Sequence, residues 1–237
     1  MDPLDSEFCR NIIESAERQK SQPVMKKKSI STEIIRCILD IHNKKDANLK
    51  NLRIAALCSL AFAGFFRYDE LCNIAPKHFE FHSDYIRIFV PRSKTDVYRE
   101  GNFVFISASG SKYCPVGVLQ RYLDLSGIEL SSPLPLFRPL VFHRSTSSYT
   151  LRSGKISYTT CRDILRDTLT HLGYSPNDCG LHSLRSGGIT AAVHNSGNSI
   201  PERLLKIHGR WKSDSAKDMY VEESLESRLH VTKCLGL

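Results

Sequence analysis

At 237 residues, with 41% hydrophobic and 24% charged residues, the chain can close one large domain over its own apolar core without help from a disulfide or metal. Lys and Arg total 33 against 25 Asp and Glu, a net charge of +8 that favours a polyanionic partner, nucleic acid before anionic membrane. The eight cysteines form no C-x-x-C pair and read as reduced thiols; with no signal-like start and no stretch apolar enough to span a bilayer, the chain reads as intracellular, with no membrane partner.

Residues 1–28 read as an N-terminal remnant or linker. Phe8, Ile12 and Ile13 mark one amphipathic turn ahead of the polar, basic stretch SQPVMKKKS. Lys26, Lys27 and Lys28 fit a solvated linker first, a nuclear import signal or a phosphate contact second. Ser31 or Thr32 then caps a helix carrying Ile34, Ile35, Ile38, Leu39 and Ile41 on one face. A second helix, Leu49 to about Phe65, is apolar on nearly all sides and is expected to be central and buried.

The period then changes. Residues 84–90 and 102–106 alternate or are β-branched and aromatic, so they read as a small antiparallel sheet with the exposed basic hairpin PRSKTDVYREG between them. Pro115 opens a helix to about Leu125. The segment 131–150 reads as loop around one short strand, Leu140–Phe142. Helices are expected at about 157–171, 183–195, 200–207 and 214–223. The fold class is mainly α with a small antiparallel β-sheet, an α+β domain.

Four separated segments hold unusual residues. Arg67 stands where a very apolar helix ends, and it must be paired or face a cleft; Glu70, one turn on, is the available partner. Lys94 lies in the hairpin, where a solvated tip is the plain alternative. His182 and Arg185 are three apart at a helix start, followed by Gly187 and Gly188, a combination that suits a bound phosphate better than a core histidine. Trp211 is the sole tryptophan, and Tyr220 follows it by nine residues; a tyrosine on a helix is commonly packing. His78 and His82 share a helical face only if that segment is helical, and the aromatic residues beside them favour a strand, so no metal site is assigned.

In order and spacing, Arg67, Lys94 on a hairpin, His182-x-x-Arg185, Trp211 and Tyr220 resemble the active-site signature of the tyrosine recombinases, or phage-type integrases, over about residues 26–225. The resemblance implies the catalytic-domain fold of that family and a DNA breaking-rejoining activity through a 3′-phosphotyrosine at Tyr220, with no metal, ATP or other cofactor. Arg67 and Arg185 would clamp the phosphate, His182 would assist proton transfer, Trp211 would donate to a phosphate oxygen and Lys94 would protonate the leaving 5′ oxygen, with Glu70 in support. It implies double-stranded DNA as partner, a homo-oligomer (a tetramer) on DNA, and a division into the remnant 1–28, a catalytic domain 29–225 and a tail 226–237 that docks in trans. The family's N-terminal helical half of the DNA clamp is expected to be missing.

The segment Gly209-Arg210-Trp211-Lys212-Ser213 looks like the recombinases of eukaryotic mobile elements, the DIRS-like and crypton types, which implies a nuclear location. A type IB topoisomerase shares the chemistry, and a domesticated or truncated DNA-binding protein would keep the fold without cutting. A basic RNA-binding module finds no RNP-like aromatic pair in support.

Overall fold

The computed structural model describes residues 6–20, 26–94, 96, 98–197, 199–223, 225, 229 and 232. The expected amphipathic turn near the start is a helix of 14 residues, α1 (Glu7–Lys20), none of them buried. An acidic first turn, a basic last turn and the Glu14–Arg18 pair support it locally. Lys27 and Lys28 reach across the chain, Lys27 Nζ donating to the Cys179 carbonyl at 3.3 Å and Lys28 Nζ to Asp178 at 2.8 Å.

Ser31 is the cap of α2 (Thr32–His42), its hydroxyl accepting from the Ile34 N–H. Asn48 caps α3 (Leu49–Ala63), which is buried on almost every side from Leu52 to Ala61. The helix stops two residues before the expected end, because Phe65 takes a left-handed conformation (φ 47°). The chain then re-enters a short helix, α4 (Tyr68–Asn73), with Arg67 at its N-cap.

Strands β1 (Phe79–Phe81), β2 (Tyr85–Val90) and β3 (Asn102–Ser107) form one antiparallel sheet in that order. Its register sets Ile86 opposite Ile106 and Ile88 opposite Val104, all facing the core, and leaves Tyr85, Arg87, Phe103 and Phe105 on the outer face. Within the β2–β3 connection the Asp96 carboxylate accepts from the N–H groups of Glu100 and Gly101. Helix α5 (Pro115–Ser126) starts at the expected proline and ends at Gly127, whose φ of 63° suits glycine.

The single strand expected near Leu140 is instead one arm of a hairpin, β4 (Leu140–His143) with β5 (Ser148–Leu151). A strand that short cannot satisfy its backbone alone, and the partner lies in a serine- and threonine-rich stretch whose polarity hid it. Helices α6 (Tyr158–His171), α7 (Leu181–Asn195), α8 (Glu202–Gly209) and α9 (Asp214–Asp218) complete the chain. The last is much shorter than the expected 214–223, so Tyr220 lies in a turn beyond a helix end and not within a helix.

The principal core joins α2, α3, α5, the start of α7 and the inner face of the three-stranded sheet. Gly187 and Gly188 serve that packing: a Cβ would lie 2.0 Å from the Ile30 carbonyl oxygen at the first and 2.1 Å from that of Phe62 at the second. The close approach anticipated for them is thus made by the chain's own backbone. A second, smaller cluster contains Phe65, Ile189, Leu205 and Trp211, with Tyr220 and Val221 packed against it. No helix among the described residues is long and apolar enough to cross a membrane.

Candidate active site

The second cluster is where the separated segments meet. Arg185, on the first turns of α7, is fully buried, and its guanidinium donates to the carbonyls of Phe65 and Gly209. The left-handed turn at Phe65 is what aims that carbonyl back at α7. Arg67 donates from its guanidinium to Glu70 Oε1 at 2.8 Å, and its backbone N–H reaches Glu70 Oε2 at 2.9 Å. The expected ion pair is therefore present, and it also starts α4.

Glu70 is 1% exposed and gathers three cations. Besides Arg67, Arg185 Nη1 lies 3.6 Å from Oε2 and Arg210 Nη2 donates to Oε2 at 2.7 Å. Burial alone would raise the carboxyl pKa, but Arg210, Arg185 and the Arg67 backbone outweigh it and hold the group below the usual carboxylate range. Arg185 is drawn below the ordinary guanidinium range by burial first and then by Arg67, with Glu70 opposing; a guanidinium still carries its charge at neutral pH.

Trp211 and Tyr220 cover this buried cation. The Arg185 guanidinium carbon lies 4.2 Å from the Trp211 ring centre and 5.1 Å from that of Tyr220, and the two rings are 5.4 Å apart. Trp211 is 7% exposed, and its indole N–H has no hydrogen-bond partner among the described residues. Tyr220 is half-buried. Its turn is fastened by Thr190 of α7, whose hydroxyl donates to the Tyr220 carbonyl at 3.3 Å and accepts from the Glu222 N–H at 3.1 Å.

His182 and Lys94 form the outer side. His182, two residues beyond the N-cap Gly180, is partly exposed, so the two residues of the His-x-x-Arg segment divide between the solvent edge and the interior. Burial lowers the His182 pKa, and the charges of Arg67, Arg185 and Lys94 lower it further, against Glu70, so at neutral pH the ring is uncharged. The exposed hairpin lysine Lys94 is within electrostatic reach of that ring.

Five of the seven residues singled out in the sequence, Arg67, Glu70, Arg185, Trp211 and Tyr220, are thus joined by direct contacts, and His182 and Lys94 are linked to them through charge. Sequence reading missed four others. Arg210 binds Glu70; His208 packs edge-on against Phe65 at 4.6 Å and bonds the Ala63 carbonyl at 2.8 Å. Buried Lys217 pairs with its α9 neighbour Asp218 at 2.7 Å and ties α9 to α8 through Glu202 at 3.6 Å, and Thr190 holds the Tyr220 turn. A basic residue beside the lone tryptophan was the available signal for Arg210; the others carry none. No group of three His, Cys, Asp or Glu able to hold a metal occurs among the described residues.

No family model matches the sequence. It is 27% identical over 222 residues to an integrase/recombinase XerD homologue of Selenomonas ruminantium, covering 93% of this chain and 61% of that protein. The chain thus spans about three-fifths of the length of that relative. In fold it is similar to the XerH site-specific recombinase bound to palindromic difH substrate in a post-cleavage complex, with a TM-score of 0.62, 13% identity and coverage of 91% of this chain and 55% of the other. The XerA recombinase gives a TM-score of 0.62 at 18% identity, covering 91% and 66%. A lambda integrase dimer bound to a COC′ core site gives 0.56 at 14%, covering 91% and 55%.

Proposed function

We propose that this chain is a tyrosine recombinase that breaks and rejoins double-stranded DNA through a covalent 3′-phosphotyrosine at Tyr220. The observation that carries the reading is the stack of Arg185, Trp211 and Tyr220, with ring and guanidinium centres 4.2 to 5.4 Å apart. A candidate nucleophile, an anion-binding cation and an indole N–H without a partner among the described residues are brought together by residues far apart in sequence.

The chemistry follows from the neighbours. The Tyr220 oxygen attacks phosphorus and the 5′ oxygen of the next nucleotide leaves, so one phosphate ester replaces another and its energy is kept for rejoining. Arg67 and Arg185 neutralise the charge that builds on the non-bridging oxygens, with the Trp211 N–H as a further donor. His182, uncharged at neutral pH, takes the tyrosine proton. Lys94 protonates the leaving oxygen. Arg185 lies wholly beneath Trp211 and Tyr220, so productive DNA binding must shift those rings to admit the phosphate.

The same reading takes residues 29–225 as the catalytic domain, preceded by the remnant 1–28. Double-stranded DNA is the partner, and a tetramer on DNA is the working assembly. Of the tail 226–237, expected to dock in trans, only Leu229 and Thr232 fall within the described residues; Leu229 and the preceding Leu225 are exposed, which suits a docking segment. Origin in a eukaryotic mobile element, with a nuclear location, rests on the Gly209–Ser213 segment.

The test is a covalent-trap assay on nicked duplexes of random sequence, run in EDTA. At a nick the short 5′-hydroxyl fragment diffuses away, so a protein–DNA adduct accumulates. Adducts from the native chain and none from Tyr220→Phe are expected; adducts that survive Tyr220→Phe, or form only with added divalent metal, would overturn the mechanism.

A further inference from the structure

We infer that Arg210 is a positioning residue that neutralises Glu70 and thereby leaves the charges of Arg67 and Arg185 available for the scissile phosphate. The inference rests on the clamp reading of those two arginines. Arg210 sits at the C-cap of α8 in a left-handed conformation (φ 58°) that glycine adopts without strain and other residues rarely occupy. A side chain kept at such a position must contribute something glycine cannot.

Its side chain does so. Arg210 is 5% exposed, and its fork bridges four groups: Glu70 Oε2 at 2.7 Å, the Phe65 carbonyl at 2.8 Å, the His208 carbonyl at 2.7 Å and the Gly64 carbonyl at 3.1 Å. The Phe65 carbonyl is shared with Arg185. Arg210 therefore fixes two of the groups around Arg185, the Phe65 carbonyl that accepts from it and the Glu70 carboxylate that faces it, while the Gly209 carbonyl holds it independently. Of the cations on Glu70, Arg210 approaches Oε2 to 2.7 Å and Arg185 only to 3.6 Å. Arg67 reaches Oε1 at 2.8 Å, so three cations share one carboxylate, and with Arg210 counted among them the cluster keeps an excess of positive charge beneath Tyr220. Without Arg210, Glu70 would draw that excess into its own ion pairs.

The probe is already in place. His182 is exposed next to the arginines, and the groups acting on its ring are Arg67, Arg185 and Lys94 from the positive side and Glu70 from the negative. Its ring can be titrated by NMR in the full chain without DNA. Arg210→Gly, which suits the backbone and deletes the fork, is expected to raise the His182 midpoint by about one pH unit, the scale of an uncompensated carboxylate nearby. Adding Glu70→Gln to it removes the carboxylate as well and should bring the midpoint back to near the native value.

A merely structural Arg210 predicts the opposite, since a second core substitution cannot repair a first. An unchanged midpoint in Arg210→Gly, or a double variant displaced as far as the single one, would overturn the inference. If Arg210→Gly does not fold, Glu70→Gln against the double variant gives the same comparison: Glu70→Gln alone should lower the midpoint and the added Arg210→Gly should restore it. Failure to form a Tyr220 adduct in the trap assay would count against the catalytic reading while leaving this titration result standing, so the two are separable.

Discussion

The principal core and the small cluster beneath Tyr220 differ in what they bury. The first closes over Ile38, Leu60, Ile86, Leu119 and similar side chains, and its buried cation Arg53 donates to the Arg138 carbonyl at 2.8 Å. The second, built on Phe65, Ile189, Leu205 and Trp211, adjoins Glu70, Arg185 and Arg210, all 5% exposed or less. In the first, each side chain contributes in proportion to its own area. In the second, each charged group is tolerable only while the others hold it. That interdependence is what keeps a dense positive charge near Tyr220 in a folded protein.

The widest gap between the two should appear when Glu70 is removed. Glu70→Ala strands Arg185 and Arg210 without a counter-charge, and breaking a buried pair from one side costs about 3–5 kcal/mol. Leu60→Ala, in the large core, should cost a similar about 2–5 kcal/mol by leaving a cavity. The signatures differ: only the first should also change the titration of His182. Urea unfolding of both variants tests this, and a Glu70→Ala loss below about 1 kcal/mol would mean that water reaches the arginines and the contrast is false.

Arg185→Ala comes next. On the scale of one transition-state donor it should slow single-turnover cleavage by about a hundredfold to a thousandfold. A rate within a few-fold of native would sink its role as a clamp. Lys94→Ala sharpens the contrast from outside both clusters. The side chain is exposed, so stability should stay within about 0.5 kcal/mol of native. Cleavage should nevertheless fall by about a hundredfold if it supplies the proton to the leaving oxygen. A 5′-thio leaving group, which needs no such proton, should erase the difference; a defect that persists with it would remove Lys94 from that role.

The principal core was readable in advance because its signal is local and periodic. The apolar run from Leu49 specifies a helix buried all round, and the alternation at 84–90 specifies a strand with one buried face. The site residues were readable only jointly, since Arg67, Lys94 and Tyr220 each have an ordinary structural role available. Their order and spacing carried the information. What stayed hidden depended on backbone geometry. The left-handed turns at Phe65 and Arg210 bring a carbonyl and a guanidinium to the same spot, and nothing in either residue type announces a positive φ. The early end of α9 was missed because the Thr190 bonds that hold the Tyr220 turn span about thirty residues of chain.

The smallest expected effect concerns pH, and it can say which cluster yields first. His42 lies by the large core, bonded to Asn51 Oδ1 at 3.0 Å and Thr168 Oγ1 at 3.3 Å; His208 lies in the small cluster. Burial lowers both pKa values as the leading cause, and the charges of Arg210 and Arg185 lower that of His208 further. A histidine with a depressed folded pKa is neutral in both states above about pH 7 and adds no pH dependence there. As pH falls through the unfolded value of about 6.5, the unfolded chain takes up protons that the folded one refuses, so stability drops and levels off only below the folded pKa. Allowing for solvent screening of these half-buried rings, the combined loss between pH 7.5 and 5.5 should be on the order of 1 kcal/mol. The carboxylates held low, Asp40 and Glu70 among them, lose their contribution with the same sign but in a lower window, as pH falls through about 4.5 and below. Urea midpoints for the native chain, His42→Gln and His208→Gln at the two pH values isolate the histidines. The pH dependence should shrink more in His208→Gln, because an imidazolium there would face arginines, whereas at His42 it would mainly lose solvent. An equal reduction in the two variants would show that burial alone sets the effect and that the buried charges around Glu70 are too well balanced to be felt at His208.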